Sequence, residues 1–221
     1  MFTPKLEVLP LAQRKLWNEL KGTPKHFVLY GGTALALRLG HRSSEDFDFF
    51  SNHLFTPHIL QKAIPYLHGA ETTQSEPNTL TAIVDRSGPT KVSFFGALAL
   101  NRVQDPDVAP NNRIQVASLL DVAATKMVTI QQRAQSRDYE DIEAIVAAGI
   151  SLSEALAAAT SVYGQQFNGA LSLKALTYFA DGDLPHLNPR SQKTLRSLAS
   201  QVNLKQIPPM KTRVGVTGED A

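Results

Sequence analysis

The chain has 221 residues, 43% of them apolar, with 22 basic side chains against 20 acidic ones and no cysteine. A chain of this composition can bury a sizeable core, and its nearly balanced charge does not by itself indicate a nucleic-acid partner. The lack of cysteine excludes disulfides and thiolate chemistry, and the sequence has neither an apolar stretch of roughly 20 residues nor a secretory signal, so we expect a cytoplasmic protein with no membrane partner.

The N-terminal segments predict a helix and then a strand that turns directly into a second helix. Apolar residues spaced about 3.6 apart predict an amphipathic helix over 11–20, and the apolar run 26–30 predicts a strand. The Gly-Gly-Thr sequence at 31–33 breaks that strand, and Thr33 is a good N-cap for a helix over 34–39. The predicted unit is therefore strand, tight turn, helix.

Three further strands are predicted before residue 100. Residues 46–50 alternate acidic and aromatic side chains, which is typical of a half-buried strand. The segments 80–85 and 91–95 have strand composition, and the turn-forming residues 87–89 lie between them. This arrangement favours a hairpin.

The second half of the chain is predicted to be helical, because alanine becomes frequent and strand signals fade after the Pro- and Asn-rich stretch 105–112. We expect helices over 118–134, 137–148, 151–163, 171–180 and 189–202. The predicted fold class is α+β, a mixed sheet with flanking helices followed by a C-terminal helical bundle. We expect a core over 1–116, a helical region over 117–207 and a disordered tail over 208–221.

Positive charge is concentrated near the C-terminus. Residues 184–218 contain six basic side chains and no acidic one, whereas residues 1–183 carry 16 basic and 18 acidic side chains. This basic arm could neutralise RNA phosphates through Arg190, Lys193 and Arg196. A solvated helix face followed by a tail explains the same pattern, and the sequence does not choose between the two.

Asp46 and Asp48 form the first candidate site. The two-residue period of a strand sends both carboxylates to one face and Phe47 and Phe49 to the other. Two adjacent carboxylates are unfavourable without a partner, and a magnesium ion that bridges them to a triphosphate relieves the repulsion. The alternative is a surface strand with solvated acids.

The Gly-Gly-Thr turn lies just upstream of this pair. Gly31 and Gly32 let a phosphate approach the backbone, and the new helix offers N–H groups and the positive end of its dipole. The Thr33 hydroxyl can cap the helix and donate to phosphate. Taken alone these residues are an ordinary turn, but a phosphate cradle beside a metal site indicates nucleotidyl transfer.

Two blocks of residues together carry a resemblance to a known family. The first block comprises Tyr30, Gly31, Gly32, Thr33, Ala34 and Leu35 with His41, Arg42, Ser43, Asp46, Phe47 and Asp48. The second comprises Thr125, Lys126, Gln132, Arg133, Arg137, Asp138, Tyr139 and Asp141. Over about residues 26–145 the chain resembles the AbiEii/AbiGii-type nucleotidyltransferase toxins, relatives of the MenT proteins within the DNA polymerase beta-like superfamily. The resemblance implies a nucleotidyltransferase core whose active site the helical region completes.

The second block implies two further site residues. The resemblance implies that Lys126 contacts the triphosphate and that Asp138 acts in catalysis, either on metal or by activating the acceptor hydroxyl. Twelve residues of unbroken helix would separate them by about 18 Å, so a shared site requires a bend, for which Gln135 and Ser136 are candidates. Without the resemblance, Asp138 would be a helix N-cap and Lys126 a surface lysine.

One feature departs from the superfamily pattern. Many members place a third carboxylate on a later strand, where this chain has Ser93, and Asp85 in the nearby turn is a poor substitute. The gap leaves the occupancy of two metals open. Arg42 is expected to pair with a phosphate or a carboxylate near the nucleotide.

The resemblance implies a magnesium-dependent enzyme that moves a nucleoside monophosphate from a nucleoside triphosphate to an acceptor hydroxyl. It implies that the acceptor is RNA, with transfer RNA as the first candidate, and that an antitoxin encoded nearby restrains the toxin. One alternative is transfer to a small molecule or to a protein side chain. Another is a domain that binds a nucleotide or a partner without turnover, which the missing strand carboxylate supports.

Overall fold

The computed structural model describes residues 2–218, which divide into two compact units. The first unit contains the described residues up to Leu100, Asp105–Ser118 and those from Val214 onward. The second contains Asn101–Gln104 and Leu119–Arg213. The main boundary therefore follows Ser118, close to the predicted end of the core at residue 116.

The first unit is built on a mixed sheet of seven strands within the described residues. The sheet strands are β1 (Val28–Tyr30), β2 (Asp46–Phe50), β3 (Glu71–Glu76), β4 (Thr79–Asp85), β5 (Pro89–Phe95), β7 (Asp107–Val108) and β8 (Gln115–Val116); two-residue strands also occur at β6 (Asn101–Arg102) and β9 (Arg213–Val214). The order is β3-β4-β5-β2-β1-β8-β7. At its centre β2 runs parallel to β5 and antiparallel to β1, and β4 and β5 form the predicted hairpin.

Within the described residues, three α-helices accompany this sheet, namely α1 (Leu11–Trp17), α2 (Gly31–Leu39) and α3 (Pro57–Ala63). The prediction that Thr33 caps α2 is wrong, because α2 already begins at Gly31 and Tyr30 is the N-cap residue. Thr33 instead lies in the first turn with its side chain buried. Gly40 ends α2 with a left-handed φ of 67°, a conformation that favours glycine.

Aromatic side chains from one face of β2 form the centre of the core in the first unit. Phe47 and Phe49 are fully buried, and the rings of Phe49 and Phe94 stack with their centroids 5.2 Å apart. Trp17, from α1, stacks on Phe47 at 6.2 Å. Burial of this face fixes the register of β2, because a slip of one residue would expose the aromatics and bury the acids.

The second unit is helical. Its helices are α4 (Leu119–Gln132), α5 (Ser136–Ala147), α6 (Leu152–Tyr163), α7 (Gly169–Ala175) and α8 (Pro189–Ser200). All five were predicted, and α6 starts with a capping box between Ser151 and Glu154. The α7 helix ends at Ala175, five residues before its predicted end, and turns continue the chain while Leu176 and Phe179 remain buried. The α+β fold class is confirmed.

The segment 208–218 differs from the predicted disordered tail. Val216 is 1% exposed, and its N–H donates to the side chain of Asn52 at 2.7 Å. The N–H of Gly218 donates to the side chain of Gln115 at 3.0 Å. Backbone groups in this segment thus find partners that a sequence pattern does not show; the last three residues of the predicted tail, 219–221, lie outside the described residues.

Among residues 2–218, no single helix has the length and apolar character needed to cross a membrane. One pair, Ser136–Ala147 with Leu152–Gln166, reaches that length and composition only when counted together across a bend of 112°.

Candidate functional site

Asp46 and Asp48 lie on the central strand of the sheet, on the face opposite the buried aromatics. Asp48 pairs in register with Tyr30 of β1 and with Ser93 of β5, and Asp46 pairs with Lys91. The Lys91 ammonium lies 2.7 Å from the Asp46 carboxylate, and both side chains are partly exposed. The prediction that both acids lie on the face of the strand opposite the aromatics is confirmed, and a lysine accompanies them.

The Asp48 carboxylate packs directly against the glycine turn at the start of α2. Gly31 has a φ of +71°, and a Cβ added there would lie 2.9 Å from Oδ2 of Asp48. A Cβ on Gly32 would lie 2.7 Å from Nη2 of Arg42 and 3.3 Å from the Ser44 hydroxyl. Each glycine therefore makes room for one charged group, so the turn brings a carboxylate and a guanidinium to the start of the helix.

Thr33 faces into the first unit. The residue is 2% exposed. Its hydroxyl lies 2.8 Å from the Ser44 hydroxyl and donates to the backbone carbonyl of Asp46. The buried side-chain amide of Gln13 donates to the same carbonyl at 3.2 Å. These bonds fasten α2 to the first residue of β2, which sets the position of the glycine turn beside the acids. They occupy the hydroxyl that the sequence assigned to phosphate.

The two carboxylates on this face suit a magnesium ion that is also bound by the substrate. Among residues 2–218 no group of three or more His, Asp and Glu side chains could hold a metal by itself. Magnesium is commonly held by one or two carboxylates together with phosphate oxygens, which matches Asp46 and Asp48. The neighbouring position on β5 holds Ser93, which is buried and accepts a hydrogen bond from Thr81 at 3.4 Å, so the third carboxylate is absent there as predicted.

A second cluster of charged residues lies inside the second unit. The Lys126 ammonium is 2.7 Å from Oδ1 of Asp138 and 2.5 Å from Oδ2 of Asp141. Arg133 donates to both oxygens of Asp138, from Nε at 2.7 Å and from Nη2 at 3.1 Å. The two carboxylates are fully buried. The four side chains therefore form a neutral cluster of two cations and two anions, in which Lys126, Asp138 and Asp141 are buried and Arg133 is partly exposed.

The break between α4 and α5 is what brings Lys126 and Asp138 together. The α4 helix ends at Gln132 and α5 begins at Ser136, so the bend predicted at Gln135 and Ser136 is confirmed. Gln135 is the N-cap residue of α5, and Asp138 lies in its first turn. The alternatives of Asp138 as an N-cap and of Lys126 as a surface lysine are therefore wrong.

Electrostatics keep Asp138 ionised. Burial alone would raise the pKa of Asp138, but the hydrogen bond from Arg133 and the charge of Lys126 together outweigh burial and hold that pKa below its ordinary value. A carboxylate with a lowered pKa is a weak proton acceptor near neutral pH. This environment suits a group that orients its neighbours rather than one that takes up a proton.

Lys126 is committed to its two carboxylates. Its side chain is 5% exposed, whereas that of Arg133 is 45% exposed. The sequence motif contained Arg133 and Asp141 but gave neither a role. Asp141 stands three residues after Asp138, on the same side of α5, and this spacing was the available signal. No sequence pattern indicates Lys91 or Gln13 as site residues. Strand register places Lys91 beside Asp46, and a long-range hydrogen bond joins Gln13 to the Asp46 carbonyl.

Helix α8 carries Arg190, Lys193 and Arg196, the three residues of the basic arm that were assigned to RNA phosphates. Arg190 and Lys193 are exposed on α8, which packs through Leu195 and Ala199. The Arg196 guanidinium lies 4.7 Å from the centre of the Phe179 ring, and its Nε is 3.4 Å from a backbone carbonyl. Arg196 thus contributes to packing within the second unit although it is exposed, and Arg190 and Lys193 are exposed as well.

Sequence comparison identifies a family that covers most of the chain. The model of the family described as "Nucleotidyl transferase AbiEii toxin, Type IV TA system" matches residues 16–209. An uncharacterized protein of Aquifex aeolicus (strain VF5) is 30% identical over 163 residues, which cover 72% of this chain and 77% of that protein.

Solved structures share the fold. MenT4, a nucleotidyltransferase toxin from Mycobacterium tuberculosis H37Rv, superposes with a TM-score of 0.59 at 14% identity, over 87% of this chain and 83% of that chain. A candidate nucleotidyltransferase from H. pylori gives a TM-score of 0.53 at 17% identity, over 85% of this chain and 91% of that chain.

Proposed function

This chain belongs to the AbiEii family of nucleotidyltransferase toxins, and from that premise we propose that it transfers a nucleoside monophosphate from a nucleoside triphosphate to a hydroxyl of RNA. The α-phosphate is attacked by the acceptor oxygen, a new phosphodiester bond forms, and pyrophosphate leaves. Transfer RNA is the first acceptor to test.

The observation that carries the proposal is the packing of the Asp48 carboxylate against Gly31. The added Cβ of Gly31 would lie 2.9 Å from Oδ2 of Asp48, so the glycine turn and the acid border the same space. The first turn of α2 presents backbone N–H groups there, and Tyr30 supplies no side-chain cap hydrogen bond to them. Backbone donors, a carboxylate and the nearby Arg42 guanidinium are the groups that bind a triphosphate with its metal.

Asp46 and Asp48 would hold the magnesium ion. When bound, that ion neutralises negative charge on the phosphate oxygens and so supplies Lewis-acid chemistry. The Lys91 ammonium, 2.7 Å from Asp46, limits repulsion between the two acids before substrate binds and can turn to a phosphate oxygen afterwards. The Gly31, Gly32 and Arg42 groups then position the triphosphate.

For the second unit we propose a part in holding the acceptor. Asp138 is held ionised by Arg133 and Lys126, which supports orientation of Arg133 more than proton transfer. Lys126 contributes through the charge it gives this cluster, and a direct contact between Lys126 and the triphosphate would require it to leave two carboxylates. Surface residues Arg190 and Lys193 are suited to RNA phosphates.

Regulation by a partner follows from the family. The family description names a type IV toxin–antitoxin system, and we propose that an antitoxin protein encoded nearby limits the toxicity of this chain. Growth arrest on expression of the wild-type chain, relieved by that protein, would support this proposal.

Two other functions compete with transfer to RNA. Transfer to a small molecule or a protein side chain uses the same nucleotide site and differs only in the acceptor. Binding of a nucleotide without turnover is favoured by one observation, the buried Ser93 in place of a third carboxylate beside Asp48. The experiment below separates all three.

The test is incubation of the purified protein with magnesium, total cellular RNA and each α-labelled nucleoside triphosphate in turn. We expect label on RNA and release of pyrophosphate from the wild type, and a loss of at least about 100-fold in Asp48→Asn. Glu71→Gln, which changes an exposed carboxylate on β3, is the matched control and should keep full activity.

Each other result points to a different function. Label on protein or small metabolites, with none on RNA, would replace the acceptor and keep the nucleotidyl transfer. Nucleotide binding without pyrophosphate release would favour a binding domain. Full transfer by a folded Asp48→Asn variant would refute the metal assignment.

A further inference from the structure

A cavity of about 300 Å³ opens within the second unit, between the end of α4 and the segment that follows α7. Arg133, Lys174 and Asp181 supply its charged lining, Tyr178 is among its polar residues, and Leu171 supplies an apolar wall. Arg133 is already paired with Asp138, so Lys174 and the exposed part of the Arg133 guanidinium are the groups that an anionic ligand would meet in this cavity. It lies outside the groups assigned to the triphosphate.

One stripe of α7 and its continuation forms a wall of this cavity. Leu171 and Lys174 stand three residues apart on α7, and the turns that follow Ala175 bring Tyr178 to the same cavity wall. Leu171 is 50% exposed and Tyr178 is 52% exposed. The opposite side carries the buried Leu176 and Phe179, which anchor the segment while Tyr178 stays at the surface.

Phe179 anchors the segment that follows α7 through two contacts. The Phe179 ring packs edge to face on Tyr139 with the centroids 5.9 Å apart, and the Arg196 guanidinium covers Phe179 at 4.7 Å. An exposed aromatic ring held beside cations is the arrangement on which unpaired bases stack.

Arg133 connects the cavity with the buried charge cluster. Its Nε and Nη2 donate to Asp138, which orients the guanidinium, and its side chain is 45% exposed. Lys126, the other cation of that cluster, is 5% exposed. Arg133 is therefore the cation of the cluster that can meet a ligand phosphate in this cavity.

We propose that this cavity binds one nucleotide of a single-stranded RNA, with its base on Tyr178 and Leu171 and its phosphate between Lys174 and Arg133. The inference rests on the proposed function, because it names the part of the chain that holds the RNA acceptor. The role of Asp138 follows from it. The buried carboxylate is a positioning residue that fixes Arg133 for the phosphate.

The test measures binding of a fluorescently labelled, single-stranded ten-nucleotide RNA by anisotropy, over a series of salt concentrations. Tyr178→Ala should weaken binding roughly 5- to 150-fold, the loss expected for one stacked base, whereas Tyr178→Phe keeps a stacking ring and should stay near wild type. Both variants change an exposed side chain, and their unfolding curves should match the wild type.

Lys174 is tested through the salt dependence of the same binding. Lys174→Ala should reduce the slope of log K against log salt by about 0.7, the value for one phosphate contact with a single strand. Lys62→Ala removes an exposed lysine from α3 in the first unit and is the matched control. It should leave affinity and slope unchanged.

The outcomes separate this inference from the proposed function. If the wild type labels RNA while Tyr178→Ala and Lys174→Ala bind and label it equally well, the cavity assignment is overturned and nucleotidyl transfer stands. If binding depends on Tyr178 and Lys174 but no nucleotide is transferred to RNA, the cavity assignment stands and the acceptor is wrong. Failure of the wild type to bind the RNA would overturn the inference.

Discussion

The Lys126 ammonium lies 2.7 Å from the Asp138 carboxylate although twelve residues separate them, and both side chains are buried. An unbroken helix would hold the two residues about 18 Å apart. The break after α4 therefore makes this contact possible. A second carboxylate, Asp141, reaches the same ammonium at 2.5 Å, so Lys126 is the internal counter-ion of two acids.

Replacing Lys126 should cost stability as well as activity. Lys126→Met leaves Asp138 and Asp141 buried, with Arg133, which donates to Asp138, as the remaining cation of the cluster. Removal of one partner from a buried pair typically costs about 3–5 kcal/mol. We expect a loss of that size in the free energy of unfolding, measured in urea. Lys193→Met, at an exposed position of α8, should change it by less than about 0.5 kcal/mol.

The result also separates two roles for Lys126. A lysine that acted only on the triphosphate would leave the unfolding free energy unchanged and lower transfer alone. Wild-type stability in Lys126→Met would therefore count against the buried cluster as the main role of this residue.

Because the pKa of Asp138 is lowered in the folded protein, the free energy of unfolding should depend on pH. Burial opposes the charged form of this carboxyl, but the hydrogen bond from Arg133 and the charge of Lys126 outweigh it. A carboxyl whose pKa is depressed in the folded state contributes stability above its unfolded pKa of about 4, and that contribution is lost as pH falls through the folded value.

Asp138→Asn should remove this part of the pH dependence. The variant should be less stable than the wild type at pH 7, and the difference should shrink as pH falls below about 4. Urea unfolding from pH 7 to pH 2 measures it. A constant difference across that range would show that the ionised carboxylate does not supply the stability.

Local patterns in the sequence predicted much of the fold. The alternation of residues 46–50 predicted β2 and the side on which its acids lie, and the five helices of the second half were found in order. The strand β3 was missed, because all six of its side chains are exposed and its sequence has no apolar alternation. Strand β7 at the sheet edge and strand β8 beside it are two residues long, too short for any periodicity.

The sites were predicted less completely, since their details depend on distant contacts. Sequence spacing suggested Asp46, Asp48 and the bend before Asp138. It did not show that Lys91 pairs with Asp46, which follows from the register of β5 against β2. Thr33 was assigned to phosphate because no local signal reveals that its hydroxyl is taken by Ser44 and the carbonyl of Asp46.

We expect the nucleotide site to require glycine at position 31 for two reasons, the left-handed backbone conformation and the lack of a side chain beside Asp48. Gly31→Ala places a Cβ 2.9 Å from the Asp48 carboxylate at a φ of +71°. We expect weaker nucleotide binding and a loss of transfer of at least about 10-fold, because the acid must move from its position beside the turn. Equilibrium binding of a labelled nucleoside triphosphate, with transfer rates, measures both.

Gly40→Ala is the control for this change. Gly40 ends the same helix with a φ of +67°, and its added Cβ would meet the flexible end of Lys5 at 2.7 Å. Both variants should lose similar stability from backbone strain, about 1–2 kcal/mol, but only Gly31→Ala should lose nucleotide binding. Equal loss of binding in the two variants would assign the effect to helix α2 as a whole.

Gly182 closes the loop that lies beside the break between α4 and α5. Its φ is +56°, and an added Cβ would lie 2.0 Å from the backbone carbonyl oxygen of Ala134. The next residue, Asp183, accepts a hydrogen bond from the N–H of Ser136 at 2.6 Å. Gly182→Ala must therefore push the loop away from the start of α5 and weaken this bond.

Gly164→Ala supplies a matched comparison, because Gly164 has a φ of +57° and nothing lies within 4 Å of its added Cβ. Gly164→Ala should lose only the cost of a left-handed alanine, about 1–2 kcal/mol. Gly182→Ala should lose about 1–3 kcal/mol more, the usual cost of overpacking, in urea unfolding. If the two variants unfold alike, the loop moves freely, and the close contact with Ala134 does not hold the bend that joins Lys126 to Asp138.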